Sequence, residues 1–217
     1  MVIGMATTKV TITLPDRQLE EIRKRVAAQE SPTISGFIQQ AVQKSLQNTA
    51  AFRATVQEAL RENGRAAQTQ GARVGERDAL ARKVPGQAAQ GRVNGIVFDA
   101  GGLIALERND RRVLLALHAS LEEDGRIIVP ATALAQAIRN PARQVRLWRM
   151  IQFERTEVIP LDGSHAQAVG ALLGQTATAD ITDAHVVICA RTEGYAVITS
   201  DPLDLKRLAP KLRLITV

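Results

Sequence analysis

Apolar and polar residues alternate over residues 9–14. Val10, Ile12 and Leu14 fall on one side and Lys9, Thr11 and Thr13 on the other, the period-two pattern of a strand with one face to bury. Pro15 ends this strand. Asp16 is placed to cap a helix whose apolar positions, Leu19, Ile22 and Val26, recur at helical spacing. "SPT" interrupts the pattern, Thr33 is a second N-cap, and Phe37, Ile38, Val42 and Leu46 predict a second amphipathic helix. One strand and two helices in about 40 residues cannot bury a core alone. An unpaired strand also needs a partner, so strand pairing between two copies of the chain is expected.

From residue 96 the pattern changes. Short apolar runs at Ile96–Phe98, Ile127–Val129, Val158–Ile159, Ala196–Thr199 and Leu212–Thr216 predict strands, and helical patterns lie between them. Such alternation implies an α/β fold with a parallel sheet covered on both faces. Between the two regions, residues 61–95 contain only four large apolar residues, Val74, Leu80, Val84 and Val93, amid Gly, Gln, Ala and Arg, which reads as a linker or weakly ordered arm. Just before it, "AAFRATVQEALREN" predicts a helix with Phe52, Val56 and Leu60 on one face. The expected organisation is a small module over 5–48 (Met5 being an alternative start), a helix and linker over 49–95, and an α/β domain over 96–217.

Composition narrows this. The 217 residues suit one or two domains, and with 45% apolar but only 3% aromatic residues the core must be mostly Ala, Val, Leu and Ile. Residues 1–48 hold six Lys/Arg against four Asp/Glu, residues 49–95 eight against four, and residues 96–217 fourteen against fourteen. The net charge of +6 therefore sits in the N-terminal half, which suggests a polyanionic partner there, or solvated charge alone. The single cysteine, Cys189, excludes an internal disulfide and suits a reducing compartment. No run of about 18 apolar residues and no signal-peptide pattern is seen, so a cytoplasmic protein without membrane contact is expected.

The candidate chemistry is acidic. In an open parallel sheet, sites form beyond the carboxyl ends of strands at the topological switch point. Asp99 follows the first strand in "IVFDAGGLIALE", Asp201 follows another in "YAVITSDPLDL", and Asp183 lies in the first turn of "ITDAHVVICAR". If the first two strands are neighbours, three carboxylates meet. Like charges so close raise one another's pKa unless a divalent cation neutralises them, and oxygen ligands suit Mg²⁺ or Mn²⁺. Each aspartate also has a purely structural reading: Asp99 as an N-cap, Asp183 as a helix-dipole charge, Asp201 as a turn residue. Asp180 and Asp204 are candidates for an outer shell. His185 falls on another helix face and is expected to be packed or hydrogen-bonded.

"IVFDAGGLIALE", "IIVPATALAQAIRN", "ITDAHVVICAR" and "VITSDPLDL" resemble the acidic-motif regions of PIN-domain ribonucleases, especially toxins of the VapC type, over residues 96–210. The resemblance implies a three-layer α/β/α fold and a Mg²⁺-dependent endoribonuclease with Asp99, Asp183 and Asp201 as catalytic and metal-binding carboxylates. The cation would polarise the phosphate and activate a water. Many PIN domains carry a glutamate where this chain has Gln136, which can join an outer shell but brings no charge. Glu107, the nearest other carboxylate, is roughly 12 Å along a helix from Asp99, so it is expected to orient a partner or sit on the surface. "NPARQVRLWRM" offers a basic stripe, Arg139, Arg143 and Arg146 with Arg149 adjacent, on a helix capped by Asn140 and begun by Pro141; it would hold RNA phosphates or be a solvated face.

Residues 8–47, through "KVTITL", "LPD" and "SPTISGFIQQAV", resemble ribbon-helix-helix domains of the CopG/VapB antitoxin kind. That resemblance implies a homodimer whose paired strands enter the major groove of operator DNA. Lys9, Thr11 and Thr13 would face base edges, and Thr33 and Ser35 a phosphate. Residues 49–95 stand where such antitoxins carry their toxin-blocking arm, with 49–60 the better candidate. Together these point to an antitoxin and its ribonuclease toxin in one chain. The alternatives are a DNA-binding regulator with a catalytically silent PIN-like half, and a DNA-directed nuclease recruited by the ribbon.

Overall fold

The computed structural model describes residues 8, 10–28, 31–69, 95–140 and 143–217, in two compact units, Met1–Gln47 and Asn48–Val217.

In the first unit, helix α1 spans Asp16–Ala27 and helix α2 begins at Ile34 and runs to Thr69. Pro15, not Asp16, is the α1 N-cap, and its carbonyl accepts from the Gln18 and Leu19 N–H groups; Asp16 is the acidic residue of the first turn, where the helix dipole favours it. Thr33 caps α2 as predicted, its Oγ1 accepting from the Gly36 N–H at 3.0 Å. The alternating segment forms no strand among the described residues: 10–15 precede α1 without ladder bonds, and Val10 and Ile12 are 74% and 51% exposed. A strand exists only by pairing, and a single chain supplies no second ribbon. Val42 and Leu46 on α2 are exposed as well.

The second unit is an α/β domain. Its elements are β1 (Gly95–Phe98), α3 (Ala100–Glu107), α4 (Arg111–Glu122), β2 (Arg126–Pro130), α5 (Ala131–Ala137), α6 (Val145–Ile151), β3 (Thr156–Ile159), α7 (Gly163–Thr176), α8 (Ile181–Glu193), β4 (Ala196–Thr199), α9 (Pro202–Leu208) and β5 (Leu214–Thr216). The five strands are all parallel, in the order β3-β2-β1-β4-β5. β1 and β4 are buried at every position, and β2 at all but its first. That is why these runs read as continuously apolar: helices cover both faces. The result is a three-layer α/β/α architecture on an all-parallel sheet, with the predicted strands displaced by at most two residues at their ends.

The core includes more of the chain than residues 96–217. Phe52, Val56 and Ala59, on the part of α2 within this unit, are 1–3% exposed and belong to the same apolar cluster as the sheet residues. Phe52 packs on Phe153 with ring centroids 5.0 Å apart. Polar contacts flank this seam: Arg53 pairs with Asp124 at 3.3 Å, Arg149 donates to Thr55 Oγ1 at 2.7 Å, and Asn63 donates to the Asn109 carbonyl at 3.2 Å. Residues 61–69, expected to be linker, are helical. Their Ala, Arg, Glu and Gln content propagates a helix once a docked segment has nucleated it. The rest of the expected linker, 70–94, lies outside the described residues.

Candidate metal and nucleic-acid site

β1 leads through α4 to β2 on one side, while β4 and β5 continue on the other, so the switch point falls between β1 and β4. Phe98 and Ile198 are register partners there, and the Asp99 N–H donates to the Ile198 carbonyl at 3.1 Å. Asp99 and Asp201 thus leave the carboxyl ends of adjacent strands. The two glycines after Asp99 permit this. A Cβ on Gly102 would stand 2.5 Å from the Ile198 carbonyl oxygen, and one on Gly101 would overlap the Ser200 hydroxyl. Only a chain without side chains lets α3 start so close to β4.

Each aspartate at this edge serves a helix. Asp99 caps α3 by accepting from the Gly102 N–H, Asp180 caps α8 by accepting from the Asp183 N–H at 2.9 Å, and Asp201 caps α9 by accepting from the Leu203 N–H at 3.3 Å. The structural readings of Asp99 as a cap and Asp183 as a first-turn charge are therefore realised, while Asp201, expected as a turn residue, is instead the α9 N-cap. Helix N-termini carry positive dipole ends, which lowers the cost of gathering carboxylates.

That cost is visible nonetheless. Asp183 is half-buried, and burial first, then Asp180, Asp99, Asp204 and Asp201, pushes its carboxyl from 3.8 up to about 6. Asp99, 7% exposed, is raised by burial and by Asp201, against the lowering effect of hydrogen bonds from Thr199 and Gly102. All five aspartates named from the sequence therefore share one field. Asp204 also pairs with Arg207 at 3.1 Å. Thr199 was missed: fully buried, it bonds the Asp99 carboxylate and its Oγ1 accepts from the Asp201 N–H at 2.9 Å. A hydroxyl residue two positions before a strand-end aspartate, in "VITSD", was the available signal.

Other candidates fall elsewhere. Gln136 is exposed on α5, and none of the interactions that shift Asp99 or Asp183 comes from it. A Glu107 carboxylate oxygen accepts from the Leu147 N–H in the first turn of α6, a structural role. The basic stripe does not form on one helix. α6 starts at Val145, and Gln144, not Asn140, is its N-cap; Pro141 lies outside the described residues. The Gln144 side chain closes the preceding turn, accepting from the Arg139 and Asn140 N–H groups at 2.9 and 3.1 Å and donating to the Ala137 carbonyl at 3.0 Å. Arg139 and Arg143 are exposed before the helix, and Arg146 is half-buried within it. In the first unit Thr11, Thr13, Thr33 and Ser35 are exposed, and Lys9 lies outside the described residues.

The donor set at the sheet edge is all oxygen and negatively charged, which fits a hard divalent cation such as Mg²⁺ or Mn²⁺.

No family model and no curated protein matches the chain. Among solved structures, VapBC2 from Rickettsia felis bound to a DNA fragment from their promoter is similar with a TM-score of 0.44 at 16% identity, covering 56% of this chain and 98% of that one. FitAB bound to an IR36 DNA fragment is similar at 0.42 and 16%, over 56% of this chain and 94% of that one. FitAcB from Neisseria gonorrhoeae follows at 0.40 and 16%, over 56% and 96%. Among the described residues no helix is long and apolar enough to cross a membrane.

Proposed function

We propose that the chain is a toxin–antitoxin fusion, in which a Mg²⁺-dependent endoribonuclease domain is tethered to a dimeric, DNA-binding antitoxin module. The observation that carries the nuclease is the pairing of Asp99 and Asp201 at adjacent strand ends with Asp183 inside their field. A divalent cation held there would supply phosphate polarisation and a lowered water pKa. The chain's own part is to hold the carboxylates: the Gly102 N–H and the Thr199 hydroxyl fix Asp99, Thr199 fixes the Asp201 backbone, and Asp180 fixes the start of α8. Arg139 and Arg143 are exposed cations available to an RNA backbone.

The antitoxin reading is supported by two features. The helix 48–69 lies on the α/β core through Phe52, Val56 and Ala59, as an arm bound to a toxin would. The first unit leaves Val10, Ile12, Val42 and Leu46 exposed, apolar surface that pairing with a second chain would cover. In that dimer Lys9, Thr11 and Thr13 would face operator DNA.

One observation favours the second reading, a DNA-binding regulator with a silent PIN-like half: Gln136 supplies no fourth carboxylate. The test is Mg²⁺ calorimetry and RNA cleavage with the full chain beside Asp99→Asn. Binding and cleavage that both vanish in the variant support the nuclease; a folded chain that neither binds nor cleaves leaves the regulator. A fragment cut at residue 94 is unsuitable, because it removes Phe52 from the core.

A further inference from the structure

Away from the sheet edge, a second cluster joins α7 to α8. Among the described residues, His165, His185 and Cys189 are the one group of three His, Cys, Asp or Glu side chains whose ligand atoms converge, all within 4.8 Å of one another. His185 and Cys189 are 0% and 2% exposed. His165 keeps a side chain 24% exposed and so provides an entry path. None of the three takes part in the aspartate site.

The hydrogen bonding orients both rings. His165 Nδ1 lies 3.1 Å from Asp162 Oδ1, and His185 Nδ1 lies 2.9 Å from Thr132 Oγ1. Each ring thereby has its Nδ1 engaged and its Nε2 left over. His185 Nε2 is fully buried with no hydrogen-bond partner, an expensive state for a polar nitrogen that a protein rarely leaves unanswered. The rings meet edge to face with centroids 5.5 Å apart. Histidines tied at Nδ1 to an oxygen and free at Nε2 are the arrangement in which metal-ligating histidines are held.

We propose that His165 Nε2, His185 Nε2 and Cys189 Sγ form a binding site for a borderline-soft transition-metal ion of the Zn²⁺ class. Two nitrogens and a sulfur exclude Mg²⁺ and Ca²⁺, which take oxygen ligands, and match Zn²⁺ in type. Metal–nitrogen bonds near 2.0–2.1 Å and a metal–sulfur bond near 2.3 Å separate tetrahedral ligand atoms by about 3.3–3.7 Å. The three therefore close by about 1.5 Å at most, a movement the part-exposed His165 can make. A fourth position remains for water. On binding, the Cys189 S–H bond breaks, the thiolate electron pair bonds the metal, and the proton passes to solvent. Without metal, burial pushes this thiol up to about 12, so it is a neutral thiol at pH 7. The site clamps α7 to α8, the helix that also carries Asp183.

The experiment is a Co²⁺ titration of the full chain after chelator treatment, with Zn²⁺ as competitor. Because Cys189 is the only cysteine, a thiolate-to-cobalt absorption in the near ultraviolet can arise from no other residue. The proposal expects that band to saturate at one equivalent, to be displaced by Zn²⁺ and to survive excess Mg²⁺. It should persist in Asp99→Asn, vanish in Cys189→Ser and weaken at least about tenfold in affinity in His165→Ala. His118→Ala, on the part-exposed third histidine, should match the parent. His165→Ala keeps the test open should the buried Cys189→Ser fail to fold. A folded chain with no band at millimolar Co²⁺, or a band unaffected by His165→Ala, overturns the site.

Discussion

The Asp201 backbone N–H donates to Thr199 Oγ1 at 2.9 Å, and the same hydroxyl bonds the Asp99 carboxylate. One buried side chain therefore couples the ends of β1 and β4. Thr199→Val keeps the shape, leaves the Asp201 N–H without its acceptor and removes a bond from Asp99. A stability loss of about 1–3 kcal/mol is expected by chemical denaturation. Mg²⁺ affinity by calorimetry should fall about 10–100-fold, as for other residues that orient ligands.

The Asp183 carboxyl sets a pH dependence. Its value rises from 3.8 to about 6 on folding, so the folded state holds a proton that the unfolded chain has released. Without divalent cation, the free energy of unfolding is highest below pH 3.8, falls between there and about 6, and is flat above as far as this group is concerned. Asp183→Asn should remove that fall and raise the Tm at pH 7 above the parent's, as a pH series of thermal melts would show. RNA cleavage, which needs the ionised carboxylate, should rise through pH 6 in the parent.

Gly102→Ala tests the close approach of α3 to β4. The new Cβ stands 2.5 Å from the Ile198 carbonyl oxygen and 3.2 Å from Asp99 Oδ1, so α3 must withdraw. Overpacking of this kind costs about 1–3 kcal/mol. Mg²⁺ binding should weaken more than in an exposed control such as Gly170→Ala, where a Cβ meets nothing within 4 Å.

The docked helix makes a prediction of its own. Phe52 is 1% exposed and stacks near Phe153. Phe52→Ala should cost about 3–5 kcal/mol in denaturant unfolding, the range for a large aromatic removed from a core. Hydrogen exchange should speed up over 48–65. A loss under about 1 kcal/mol would mean that this helix is not part of the core.

Much of this molecule was legible in the residue pattern. Strands buried on both faces read as unbroken apolar runs, so β1, β2 and β4 could be located within a residue or two, and parallel pairing followed from the helices between them. Asp99, Asp183 and Asp201 were legible because strand ends and helix starts are local features. Local pattern also placed Thr33 as a cap and Phe52 and Val56 on one helix face. It failed where side chains from distant segments decide the backbone: Gln144 and Glu107, not Asn140, set the start of α6, which dispersed the expected arginine stripe. Residues 10–14 show no strand in the single chain, because a strand exists only where a neighbour supplies its hydrogen bonds. Strand order alone put Asp99 beside Asp201, and helix packing alone brought His165 against His185 and Cys189. Periodicity reports which face a residue occupies; which residue waits opposite is a matter of long-range packing, and only the tertiary structure decides it.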